Sequence, residues 1–153
     1  MRKKKIIITQ EVIDQKINNI KEYILEIIPN IDNIIFEYDK CIFNHKYIQQ
    51  EGIKFNIKYL INNHYFPLFS FVYIINNKYL KEISQDEMLN RIVMIFYINF
   101  DILYEEEQVF VLNHISLIKD IDLKLLKKMQ KACKGKAIYK INSLFLLYDL
   151  KDN

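Results

Sequence analysis

The side chains best suited to chemistry are scattered along this sequence. His45, His64 and His114 fall on separate predicted elements, and none stands in an HExxH or Cys/His spacing that would hold zinc. Cys41 and Cys133 are far apart with no CxxC, which points to two free thiols in a reducing compartment. A nucleophile needs a neighbouring base and an orienting partner. Ser70, Ser116 and Ser143 lack an elbow such as GxSxG, and Ser84 reads as a helix cap. Cys133 lies on the apolar face of a predicted helix, where a thiol is usually an inert core group. Gly52 and Gly135 are isolated and cannot cradle a phosphate. Asp101 and Glu105–Glu107 have the donors for a cation, but an acidic run at a helix end is more often a solvated corner. No catalytic residue, metal ligand or cofactor site is therefore expected, and the chain reads as non-enzymatic.

The strongest polar feature is a stripe of lysines. Lys124, Lys127, Lys128, Lys131 and Lys134 lie opposite the apolar positions Leu125, Leu126, Met129, Ala132 and Cys133 on one predicted helix. With Lys136 and Lys140 they form a basic patch able to meet phosphates or an acidic partner. No aromatic residue interleaves with them for base stacking, and the solvated face of an amphipathic helix is the plainer reading.

Helical spacing dominates the elements that must position these residues. Val12, Ile13, Ile17, Ile20, Ile24, Ile27 and Ile28 form one face of a helix that follows Thr9 and stops at Pro29. Residues 30–50 remain open between strand and helix, as does Ile34–Tyr38 within them. Ile53, Ile57, Leu60 and Ile61 predict a helix ending at Asn62-Asn63. Pro67 suits the first position of another, with Leu68, Phe71, Val72, Ile75 and Tyr79 on one face. A hairpin of strands 68–75 and 79–83 is the alternative there. Ser84-Gln85-Asp86-Glu87 is a capping box. The helix it opens is apolar nearly all round from Ile92 to Ile98, which predicts a buried central helix over 85–104. Val111, Leu112, Ile115 and Ile118 predict a further helix. Asp122 caps the lysine helix, Gly135 closes it, and a last helix ends near Leu150.

The expected fold is thus mainly α: seven or eight helices around the central one in a single domain over 9–150, preceded by a basic tail over 1–8. The chain has 153 residues, enough for a core without a disulfide or metal. At 51% hydrophobic and 27% charged residues the composition is globular. The abundance of Ile, Asn, Lys and Tyr, with two Gly and no Trp, fits a coding sequence poor in G and C. A formal net charge of +3 and a pI near 8.7 are mild for a dedicated nucleic-acid binder. Arg2–Lys5 is followed by only three isoleucines before polar residues, so no signal peptide is read, and no apolar window is long enough to span a bilayer. The expected location is cytoplasmic.

Two segments carry a resemblance. Residues Ile83–Val93 resemble the S-x-E-E-hydrophobic-x-x-R-hydrophobic helix start of the bacterial domain-of-unknown-function family numbered 4272. Residues Tyr139–Leu150 resemble its C-terminal W-R-x-E-[SA]-L-x-x-L-L-W-A-L motif, and Pro67 is similar to its Leu-Pro step. Tyr139 and Tyr148 stand where the motif has Trp, and Asn142 where it has Glu. The resemblance implies a helical domain and no particular activity. Asn90-Arg91-Ile92-Val93 also resembles the N-W-G-R-[IV] segment of Bcl-2-like proteins, including poxvirus inhibitors of host signalling, without its Trp-Gly. That resemblance implies a groove for an amphipathic partner helix. The expected role is protein–protein interaction, of an immunity or accessory type. The alternatives are a viral Bcl-2-like inhibitor and a nucleic-acid-associated protein using the Lys124–Lys140 face.

Overall fold

The computed structural model describes residues 4–6, 9–45, 47–74 and 84–152. In chain order these form β1 (Lys4–Ile6), α1 (Gln10–Ile27), β2 (Ile34–His45), β3 (Ile48–Ile61), β4 (His64–Ile74), α2 (Gln85–Ile98), α3 (Glu105–Asn113), α4 (Leu123–Ala132) and α5 (Lys136–Asp152). Single 3-10 turns occupy Ile31–Asn33, Phe100–Ile102 and Ile115–Leu117. The expectation of a mainly α bundle of seven or eight helices is overturned. Five α-helices and a four-stranded sheet are present among the described residues. The chain groups into two compact units, residues 1–60 with 65–88 and residues 61–64 with 89–153.

The first unit joins α1 to the sheet. The Thr9 side chain accepts from the Val12 amide at 3.4 Å and starts α1, while Ile13, Ile20 and Ile24 are buried along it. Pro29 ends it by driving Ile28 into extended geometry, with the Ile28 amide still bonded to the Ile24 carbonyl at 2.9 Å.

The sheet centres on β3, which pairs antiparallel with all of β2 and parallel with β1 through Lys4↔Ile48 to Ile6↔Gln50. Ile53, Phe55, Ile57, Tyr59 and Ile61 alternate with Lys54, Asn56, Lys58 and Leu60, and all five of the first set are buried. The register sets Phe36 opposite Ile57 and Tyr38 opposite Phe55 on that face. Helix α1 covers it, with the Lys21 ammonium 5.4 Å from the Phe36 ring centre and Gln10 Nε2 donating to Tyr38 Oη at 3.3 Å. The other face is polar and carries a Glu37–Lys58 ion pair at 2.9 Å.

Both helices expected between 53 and 79 are corrected by these strands. Ile53, Ile57 and Ile61 are spaced by four, which suits a strand as well as a helix. The intervening Phe55 and Tyr59 make the period two. Asn62 and Asn63 do not end a helix; they adopt φ of 52° and 66°, the pair of positive values a type I′ hairpin turn requires. The chain returns as β4, where Pro67 is tolerated on an edge strand because its missing N–H costs no ladder bond. The open segment 34–45 is strand throughout. Residues 68–74 of the first strand of the alternative hairpin fall within β4. Residues 75–83, and 1–3 and 7–8 of the expected tail, lie outside the described residues, while Lys4–Ile6 of that tail belong to β1.

The capping residue Ser84 starts α2: its hydroxyl accepts from the Glu87 amide at 3.2 Å. Helix α2 ends at Ile98 rather than 104, and Asn99 helps to stop it through its side-chain amide, which donates to the Ile95 carbonyl at 2.8 Å. It is buried on one face, through Met88, Ile92, Val93 and Phe96, not all round. Met94 is 38% exposed and Ile98 71%. In the second unit Phe96 meets Phe110 edge to face at 5.8 Å, and Val111, Leu112, Leu126, Ala137 and Ile141 complete a core of α3, α4 and α5.

Candidate functional site

The N-terminal end of α3 is the polar centre of the second unit. Gln108 is fully buried, and its amide joins three segments. Nε2 donates to the carbonyls of Phe100 at 3.1 Å and Ala132 at 2.8 Å, and Oε1 accepts from the Lys134 amide at 2.8 Å. The carboxylate of Glu105 reaches the start of α5, where Oε1 accepts from the Lys136 amide at 2.7 Å. Gly135 makes this approach possible. Its φ is +52°, and a Cβ there would stand 2.5 Å from the Glu105 carboxylate. Gly135 is therefore the link into α5 and not the cap of α4, a position that Cys133 takes.

The acidic corner is only partly solvated. Glu106 is exposed, but Glu107 is 1% exposed, and its Oε1 has no hydrogen-bond partner among the described residues. Burial, with a smaller contribution from Glu106, pushes the Glu107 carboxyl above the usual range, against the backbone amides of Glu107 and Tyr104 that favour its charge. No cluster of three metal-ligating side chains occurs among the described residues.

Helix α4 carries the expected lysines. Asp122 caps it through Oδ1, which accepts from the Leu125 amide at 2.9 Å. Lys124, Lys127, Lys128 and Lys131 are exposed, and among the described residues none of the four ion-pairs with a carboxylate. Lys134 does not belong with them. It follows the helix, and its Nζ donates to the Leu103 carbonyl at 2.7 Å and the Asp101 carbonyl at 3.4 Å. It acts as a strut between two loops.

Beside α4 lies an open cleft of about 350 Å³, lined by Tyr97, Ile98, Phe100 and Asp101 on one side and Leu125, Lys128, Met129 and Ala132 on the other. The four α4 residues are spaced i, i+3, i+4 and i+7, the spacing of one helix face. At about 100° per residue, Lys124 and Lys131 fall next to Lys128 along the edge of the cleft, and Lys127 falls farthest from it. The sequence held a signal for this site in the i, i+3, i+4, i+7 set and in Ile98 at the close of an apolar helix. A second recess, of about 390 Å³, lies at Glu105, Glu106, Val109 and Lys136, where the Glu105 carboxylate is already engaged.

The other reactive residues are occupied or subdued. His114 packs on Phe110 at 4.7 Å, with Nδ1 2.8 Å from the Phe110 carbonyl, a contact in which Nδ1–H donates. His64 is exposed on β4. Both cysteines are free. Burial pushes the Cys133 thiol up to about 11 and is also the largest influence raising the Cys41 thiol.

No protein-family model, curated protein or solved structure matches the chain. No described helix is long and apolar enough to cross a membrane.

Proposed function

We propose that the chain is a small non-enzymatic module that binds another protein through the α4 face, in the reducing environment of the cytoplasm. One observation carries the reading: Lys124, Lys128 and Lys131, exposed and without carboxylate partners among the described residues, lie on the side of α4 that borders an apolar-floored cleft. The nearby polar groups with the most chemical potential are spent internally. Gln108, Glu105 and Lys134 all bond to backbone, and burial pushes the Cys133 thiol up to about 11, which favours its unreactive protonated form. The free state of Cys41 and Cys133 supports a reducing compartment.

The test is affinity purification of the full chain from its native host, with Lys127, Lys128 and Lys131 all changed to Glu as the comparison. The reading requires one protein retained at near-stoichiometric amount by the wild type, resistant to nuclease and lost by the variant. Retention of nucleic acid, with a steep fall in affinity as salt rises, would assign the lysine face to phosphate contacts instead. No retained partner of either kind would end the proposal.

A further inference from the structure

Resting on that protein-binding reading, we infer that the partner presents an acidic amphipathic segment, with an apolar side chain entering the cleft and carboxylates meeting Lys124, Lys128 and Lys131. The apolar half of this occupant follows from the floor. Phe100 and Met129 are buried at its base, while Ile98 stands 71% exposed at its wall. A large aliphatic side chain left in water beside a concave apolar surface gains most from a second apolar group laid against both.

The acidic half follows from charge. Helix α4 contains no Asp or Glu, and its exposed lysines have no carboxylate partner among the described residues. The opposite wall carries Asp101. The α4 edge of the cleft is therefore positive, and the Asp101 carboxylate on the opposite wall orients the occupant: its carboxylates lie over α4 and away from Asp101. A nucleic acid would use the lysines as interchangeable phosphate contacts. An occupant seated in the cleft uses them unequally, because Lys128 lines the cleft and Lys127 faces away from it.

The experiment uses the full chain and a fluorescein-labelled synthetic helix with Leu and Phe on one face and Glu on the other, read by fluorescence anisotropy. Lys128→Glu and Ile98→Glu are expected to weaken binding by about tenfold or more, and Lys127→Glu by less than about threefold. Asp101→Asn is expected to strengthen it. All four positions are exposed, so circular dichroism of each variant should match the wild type. Equal losses for Lys127→Glu and Lys128→Glu, indifference to Ile98→Glu, or tighter binding of single-stranded DNA or phosphatidylserine vesicles would overturn the inference. So would concentration-dependent self-association abolished by Ile98→Glu, which would give the cleft to a second copy of the chain. A peptide that fails to bind while the host protein is still lost by the triple lysine variant refutes the acidic segment and leaves the protein-binding reading standing. Failure of both refutes both.

Discussion

Glu107 keeps one carboxylate oxygen out of water and, among the described residues, without a hydrogen-bond partner, and burial raises its carboxyl pKa. The native state then holds a proton more firmly than the unfolded chain, whose Glu titrates near ~4.3. The stabilisation is fully present below that unfolded value and is lost as pH rises through the raised native one. Glu107→Gln keeps the shape and removes the charge. It is expected to raise stability at neutral pH by an amount on the order of 1 kcal/mol, seen as a higher Tm, and to flatten this part of the profile in melts run from mildly acid to neutral pH. Cys133, with its thiol at about 11, should alkylate with iodoacetamide far more slowly than free cysteine at neutral pH, as mass spectrometry would show. Caps were the legible residues. Ser84 and Asp122 hold the positions their spacing predicts. Glu107 was not legible, because three consecutive glutamates look equally solvated until a helix start turns the third inward. The spacing of three from Lys131 groups Lys134 with the helical lysines, although the helix stops at Ala132.

Elements in the second unit are joined by side chains that bond to backbone. Replacing Gln108 with Met leaves the Ala132 carbonyl and the Lys134 amide without their partner, while the Phe100 carbonyl keeps the Leu103 amide at 3.3 Å. At about 1–3 kcal/mol per buried unpaired group, a loss of at least ~2 kcal/mol is expected in urea unfolding. Gly135→Ala meets two penalties, the left-handed backbone at about 1–2 kcal/mol and the collision with the Glu105 carboxylate. Only the second should be relieved in a Glu105→Ala background, so a double-mutant cycle separates them. The strands are hard to read from the sequence for a physical reason. Positions 53, 57 and 61 satisfy both periodicities, and the decision rests on Phe55 and Tyr59, whose abundance elsewhere in the chain weakened them as a strand signal. Asn62-Asn63 marks the end of an element in either reading; only its paired positive φ values show that the chain doubles back.

At the scale of the molecule, the two compact units have no counterpart in composition. The divide passes between Leu60 and Ile61 inside β3 and between Met88 and Leu89 inside α2. A boundary that runs through regular elements needs no Gly, Pro or Ser linker, so none was there to be read. The lysine stripe was legible because amphipathic spacing is local. The cleft was not, because half its lining comes from Tyr97–Asp101, across a separation that periodicity cannot bridge. Both thiols are free, so neither half of the fold depends on a covalent staple. Tm is expected to be the same with and without reductant, and a drop on adding reductant would reveal a bridge.

The two neighbours that β3 acquires besides β2 arrive by very different routes. Strand β4 follows it across the two-residue turn at Asn62-Asn63, and strand β1 reaches Ile48–Gln50 only after α1 and β2 have been laid between. Closing the short loop costs little chain entropy, and closing the long one costs more for just three paired residues. The hairpin can therefore nucleate early, and the β1 pairing, with its high contact order, completes late. In native-state hydrogen exchange the amides of Lys4–Ile6 should open well before those of β3. The sheet would then keep its centre under conditions that release its first strand.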